Sequence, residues 1–428
     1  MTDWRQRLRE LFLGTVADLD VQTAMQQALR FRFPSPAHAK LLVIAFGKAA
    51  RPMAAALLAR GPWAAVRGLL VPPEPDGAPL EPFEVIPGGH PLPTAGSLRA
   101  AARALELARS AQPDEIAVFL VSGGGSAMLE LPADPAVTLE ELRHLYRALV
   151  GCGADIRDIN TVRRHLSAIK GGRLAIAAAG AWGQETFAIS DVPPNTFGVL
   201  ASGPTAPEPT SFAACRAVLD RFALWPAVPT ALRARLDRDD LPPGLPLVHP
   251  LTQRSQHFEV QGSRLARYHL QNRARKSGLL VVQDQTVDDW PHERAAEHLL
   301  AHLERLRRTH PGRAVAILTG GELSVPLPPA PGIGGRNQQF ALHCARLIRG
   351  RPITVLSAGT DGIDGTSPAA GAVVDGTTCA RARAAGFAVH DALRRCDAFP
   401  LLDALGDTVT TGPTSSNLRD LRLLVWPR

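Results

Sequence analysis

Ala117-Val118-Phe119-Leu120-Val121-Ser122-Gly123-Gly124-Gly125-Ser126-Ala127-Met128 is an apolar run that stops abruptly in a hydroxyl, three glycines and a second hydroxyl. A Val/Phe/Leu run without polar alternation fits a strand covered on both faces, as in a parallel α/β sheet. Glycines at its carboxyl end let the chain turn tightly and aim several N–H groups at one anion. Taken alone, such a loop also fits an ordinary strand-to-loop turn. The pattern recurs, however, at Leu41 to Lys48, at Ala314 to Ser324 and at Ile353 to Gly362. Ligands of open α/β sheets bind beyond the carboxyl ends of the strands, so these four turns predict one or two ligand-binding clefts.

With 428 residues the chain is too long for one ordinary core, which points to two or three α/β domains. An apolar fraction of 45% and a charged fraction of 20% are those of a globular protein rather than a disordered one. The net charge of +7 is almost all arginine, because the only lysines are Lys40, Lys48, Lys170 and Lys276. The arginines are scattered among acidic neighbours and aromatics make up 5%, a composition that argues against nucleic-acid binding and for a small anionic substrate. Cys152, Cys215, Cys344, Cys379 and Cys396 are odd in number and lack metal or redox spacing, so a reducing compartment is expected. The start Met1 to Arg7 does not read as a signal peptide and no run is long enough to span a membrane, so the cytoplasm is the expected location.

Along the chain, the spacing of Leu8, Leu11, Phe12, Thr15, Val16 and Leu19 predicts one amphipathic helix from Trp4 to about Arg30. Lys48 then stands at or just before a helix start, where a cation works against the helix dipole unless an anion meets both. The stretch Arg163, Arg164, His165, Lys170 and Arg173 around a Gly-Gly break fits either an anion-facing surface or a solvated helix face. Asp191 follows a short strand and fits a metal ligand, a proton acceptor or a turn residue. The Pro-rich segment from Trp225 to Thr252 is the predicted linker. Arg336 opens a helix after Gly332-Ile333-Gly334-Gly335, and its planar fork suits a carboxylate or phosphoryl group. Asp361 and Asp364 among glycines fit a magnesium held through carboxylates and waters, or a tight Asp-Gly turn pair.

Taken in order, Ala45-Phe46-Gly47-Lys48-Ala49, Ser122 to Ala127, Asn160 to Gly172, Ala201-Ser202-Gly203-Pro204-Thr205, Gly334 to Gln338, Ala358 to Gly365 and Thr411 to Thr414 resemble the glycerate 2-kinases with a C-terminal MOFRL domain. The resemblance covers nearly the whole chain. It implies a larger Rossmann-like N-terminal domain over 1–240, a linker and connecting helices over 241–310, and a smaller α/β MOFRL domain over 311–428, with the active site in a cleft between the two domains. It implies ATP-dependent phosphorylation of D-glycerate to 2-phosphoglycerate, with Mg2+; a monomer or homodimer is the expected assembly. The family's important lysine and arginine fall on Lys48 and Arg336.

In the resulting picture Lys48, Arg336 and Asp191 are catalytic. Ser122, Gly123, Gly124, Gly125, Ser126 and Lys170 hold nucleotide phosphates, Asn337, Asp361 and Thr414 hold substrate, and Asp191 or Asp361 holds the metal. The chain departs from the family pattern at Pro193-Pro194 after Asp191, at Val260-Gln261-Gly262-Ser263-Arg264, and at Ser415-Ser416-Asn417. The family is also labelled hydroxypyruvate reductase, but no Gly-x-Gly-x-x-Gly with a distant acidic partner follows a strand here. A non-catalytic phosphosugar-binding module would leave the Arg336 and Asp361 motifs without a purpose.

Overall fold

The structure is a computed structural model that describes residues 3–74, 79–190, 197–414 and 417–428. The chain forms two compact α/β units, Val21–Val260 and Met1–Asp20 with Gln261–Arg428. No described helix is long and apolar enough to cross a membrane.

The larger unit carries β1 (Lys40–Phe46), β2 (Ala65–Val71), β3 (Phe83–Val85), β4 (Glu115–Val121), β5 (Gly183–Ser190) and β6 (Ser255–Gly262), in the order β3-β2-β1-β4-β5-β6. The pairs β2–β3, β1–β2, β1–β4 and β4–β5 are parallel, with Val43 level with Val118. Both faces of β1 and β4 are buried, as the unbroken apolar runs require. Leu42, Ile44, Phe46, Ala117, Phe119 and Val121 share a core with the helix Ala95–Arg109. This is the Rossmann strand order, and the chain reverses direction across the sheet between β1 and β4. Their carboxyl ends therefore flank the crevice where such sheets bind ligands.

The second unit carries β7 (Leu280–Gln283), β8 (Val315–Gly320), β9 (Thr354–Gly359), β10 (Gly371–Asp375), β11 (Thr408–Val409) and β12 (Asp420–Trp426), in the order β11-β10-β9-β12-β8-β7. β12 is antiparallel to both of its neighbours, β8 and β9. The starting residues of β12 thus arrive at the edge where β8 and β9 end, with Asp420 opposite Gly359 and Leu421 opposite Gly320.

Two local expectations are corrected. The single opening helix is two helices, Trp4–Asp18 and Val21–Arg32. Aspartates at 18 and 20 suit a helix start better than an interior, and Leu19 and Val21 are buried at the break. The first helix belongs to the second unit, where Asp18 meets Arg273 through two bonds of 2.7 Å and Arg5 meets Asp375 and Asp407 at 3.1 Å each. The Pro-rich segment is packed structure rather than a loose linker. Leu232, Leu236, Leu241, Leu245 and Leu251 are all buried, and Leu245 exchanges backbone bonds with Gly171 (2.9 Å) and Glu208 (2.7 Å). The boundary between units falls at 260/261, so the expected 241–310 connection is divided between them. Proline fixes the chain without loosening it, and the leucines between the prolines supply the anchoring area.

Candidate active site

At the ends of β1 and β4 two turns are tied together. Lys48 N donates to Gly123 O (2.9 Å), Ala49 N to Ser122 Oγ (2.9 Å) and Ser122 N to Phe46 O (3.2 Å). Gly47 has φ +110°, and a β-carbon on it would lie 2.4 Å from Ser122 Oγ, so only glycine fits. Gly124 has φ +84°, and a β-carbon on it would lie 3.0 Å from His90 Cδ2. Among the described residues, nothing accepts a hydrogen bond from the N–H of Gly123 or Gly124, and no carboxylate pairs with the exposed Lys48 ammonium. Partial burial, and after it the Lys48 charge, push the His90 pKa below its ordinary value. One cation and two unused amide donors thus converge where the sequence predicts a phosphate cradle.

The cradle is braced from behind. Ser126 Oγ lies 2.9 Å from Ser202 Oγ, which donates to Asn160 Oδ1 at 2.9 Å. Ala201 and Ser202 are both left-handed (φ 51° and 59°), a strained pair of non-glycine residues held against Gly125. The sequence assigns no role to Ser202 or Asn160, although both lie in motifs that carry the resemblance.

Lys170 is placed differently from the expectation. It has no exposed surface, and its ammonium meets Glu130 Oε2 at 2.6 Å and Leu129 O at 3.2 Å. Glu130 also accepts from Ser167 Oγ (2.6 Å), Leu131 N (2.9 Å) and the Tyr146 hydroxyl, which in turn reaches Ser126 O at 3.3 Å. Burial lowers the Lys170 pKa. Lys170 therefore supports the glycine-rich turn from inside the fold and offers no face to a ligand. Arg164 and Arg173 are buried too, Arg164 on Glu208 at 2.5 Å and Arg173 on the carbonyls of Arg164, Lys170 and Pro242. They form neither an anion-facing surface nor a solvated face.

In the second unit, Arg336 opens the helix Arg336–Leu347. Its guanidinium meets Asp420 through Nε (2.7 Å) and Nη2 (3.2 Å), and Glu322 at 3.0 Å. Burial alone would lower the Arg336 pKa, but Asp420 and Glu322 raise it, so the side chain is charged at every working pH. Asp420 is held in turn by the fully buried Arg422 at 2.9 Å. A pocket of about 310 Å³ opens beside Arg336, with Leu323, Val325, Gly335 and Gln339 among its walls.

The two candidate aspartates part company. Asp364 is buried and caps the helix, accepting from Asn337 N (3.0 Å) and Gln338 N (2.8 Å). Burial pushes its pKa up to about 6. Asp361 is only partly buried, and its Oδ1 accepts from Ile363 N at 3.3 Å. The carboxylates of Asp361 and Asp420 lie 3.0 and 3.3 Å from where a β-carbon on Gly359 would stand, so Asp361 sits with the Asp420–Arg336 pair. A partly buried carboxylate just past a strand end fits a magnesium that keeps most of its waters, whereas Asp420 is committed to two arginines.

Thr414 N donates to Asp361 O (2.9 Å) and Thr414 Oγ1 to Thr360 O (2.6 Å), which fixes this turn. Asn337 is buried, with Asp364, Ser357 (2.6 Å) and Arg422 as partners, and so positions the helix start rather than facing a ligand. Asp191 lies outside the described residues, as do Ser415 and Ser416.

Sequence comparison agrees with this geometry. The domain of unknown function DUF4147 matches residues 7–237, and the MOFRL family matches residues 315–420. The chain is 32% identical over 395 residues to a glycerate 2-kinase of Pyrococcus horikoshii, covering 90% of this chain and 87% of that one. It is 34% identical over 429 residues to a protein of Agrobacterium vitis named only provisionally as a hydroxypyruvate reductase, covering 98% and 94%. The crystal structure of glycerate kinase from Thermotoga maritima superposes with a TM-score of 0.85 at 29% identity, covering 98% of this chain and 99% of that one. The resemblance read from the motifs is thereby borne out: the chain belongs to the glycerate kinase family, with a DUF4147 domain followed by a MOFRL domain.

Proposed function

We propose that this chain transfers the γ-phosphoryl group of ATP to the 2-hydroxyl of D-glycerate, giving 2-phosphoglycerate and ADP. The observation that carries the reading is the exposed Lys48 ammonium, which has no ion-pair partner among the described residues, beside the Gly123 and Gly124 amides, which have no acceptor among them. Phosphoryl transfer asks a protein mainly for alignment and charge neutralisation, and a lysine beside a glycine-rich turn supports that reading.

In this reading the Ser122 to Ser126 turn holds nucleotide phosphates and Lys48 meets the transferring group. Arg336, aimed by Asp420 and Glu322, takes the substrate carboxylate or shares the phosphoryl charge. Asp361 would hold magnesium, which neutralises phosphate charge when bound. As the O2–P bond forms and the bond to the β-phosphate oxygen breaks, the hydroxyl proton leaves for a carboxylate, a role for which the sequence offers Asp191. A nicotinamide-dependent reductase gains no support from the β1 turn, where Phe46-Gly47-Lys48-Ala49-Ala50 places a lysine and no further glycine.

The test is ADP release from ATP, Mg2+ and D-glycerate, with the product passed to enolase, which accepts 2-phosphoglycerate and not its 3-isomer. Phosphoenolpyruvate formation without added mutase is expected. No turnover by the folded protein, or a product that enolase ignores, would overturn the assignment; NADH oxidation by hydroxypyruvate is the control for the reductase reading.

A further inference from the structure

One side-chain cluster takes no part in the site above. Asp284 follows the edge strand β7, and His298 and His302 stand one turn apart on the helix His292–Thr309. Residues four apart on a helix share a face, so both rings meet the same carboxylate. Asp284 Oδ2 lies 2.7 Å from His302 Nδ1 and 3.1 Å from His298 Nε2. The other oxygen, Oδ1, is held by Thr286 through its N–H (3.0 Å) and hydroxyl (2.6 Å). The carboxylate is therefore locked with one oxygen aimed between two imidazoles. The His298 ring packs edge-on against Trp290 with centroids 5.4 Å apart, which fixes its orientation.

All three donor atoms lie within 4.8 Å of one another. Ligand atoms around a tetrahedral zinc ion stand about 3.3 Å apart, given bonds of about 2.0–2.1 Å. The Asp284 contacts are a few tenths of an ångström shorter, a gap that small rotations of two partly exposed rings can supply. Two imidazoles and one carboxylate suit a borderline divalent ion and leave a fourth position for water. The side chain of Asp284 is 4% exposed while those of His298 and His302 are 33% and 27% exposed, so the carboxylate is sheltered and the histidine side is open to an incoming ion. Thr286 supplies the outer hydrogen bonds that hold a ligating carboxylate in place.

We propose that Asp284, His298 and His302 bind one divalent transition-metal ion of the zinc class, clamping the edge strand β7 to the helix His292–Thr309. Its role is structural: the bonds that hold Asp284 run to Thr286, His298 and His302, whereas Arg336 is held by Asp420 and Glu322.

The test uses the full chain stripped with a chelator and dialysed. Titration with Co2+ followed by visible absorption, and with Zn2+ by calorimetry, is expected to give one ion per chain with four- or five-coordinate cobalt bands, and Zn2+ is expected to raise the melting temperature. His298→Asn and His302→Ala are each expected to weaken Zn2+ binding at least about tenfold and to abolish the cobalt bands. His298 is a third exposed, so its variant folds even if the other does not. Failure of the stripped wild type to bind Zn2+ at micromolar concentration, or equal binding by wild type and His298→Asn, would overturn the proposal.

Discussion

Replacing Lys170 by methionine removes the cation that pairs with the buried Glu130 carboxylate. The Lys170–Glu130 pair is 2.6 Å long, with side chains 0% and 1% exposed. At an effective dielectric of about 20 its attraction is about 6 kcal/mol, offset in part by the desolvation that burying both charges requires. Removing one partner of such a pair costs about 3–5 kcal/mol. Glu130 keeps Ser167 Oγ, Leu131 N and the Tyr146 hydroxyl as donors, which places the expected loss near the lower bound.

For a unit of this size that is a fall of about 6–12 °C in melting temperature, read by scanning calorimetry of Lys170→Met against wild type. Glu130→Gln with Lys170→Met is expected to recover much of the loss, because no buried charge is left uncompensated. Below the unfolding range, turnover is expected to stay within about tenfold of wild type, unlike the 10²–10³ that follows loss of a donor to the transition state. An unchanged melting temperature combined with a large rise in the KM for ATP would refute this reasoning and return Lys170 to the phosphate site.

Two further outcomes are expected. Gly47→Ala forces a β-carbon onto Ser122 and a left-handed φ onto alanine, so it is expected to destabilise the larger unit by about 1–3 kcal/mol and to depress kcat, checked by urea melts and by turnover. His165 is buried, and that burial, opposed in part by Glu208, lowers its pKa to about 4. Its folded value is below the unfolded value of 6.5, so the unfolded chain takes up the proton first and stability falls as pH drops from 6.5 to 4. The full effect is about 3 kcal/mol, and His165→Gln is expected to flatten that part of the stability profile.

The sequence revealed most about the strand ends and least about side chains whose partners lie far along the chain. The run from Ala117 to Ser126 declares a buried strand and its turn because both depend on neighbours in sequence. The close approach of Gly47 to Ser122 came from the structure, although the glycine and its positive φ are what that approach demands. Lys170 was misread because its partner Glu130 is forty residues earlier, and a basic residue beside Gly171-Gly172 looks the same whether it faces phosphate or a buried acid. Asn337 and Asp364 likewise turned out to define a helix start. Asp420 was missed because an acid at the head of a strand carries no motif, and its value comes only from β12 being inserted between β8 and β9. The Asp284 cluster was invisible because its carboxylate and its two histidines sit on different elements.

The most direct test of the central claim is the kcat/KM of Lys48→Met with ATP and D-glycerate, measured beside its melting temperature. Lys48 is exposed and carries no ion pair among the described residues, so its loss is expected to leave the fold unchanged. The expected result is an unaltered melting temperature with kcat/KM lowered by about 10²–10³. A folded variant within about threefold of wild type, a difference worth under 1 kcal/mol of transition-state stabilisation, would contradict it.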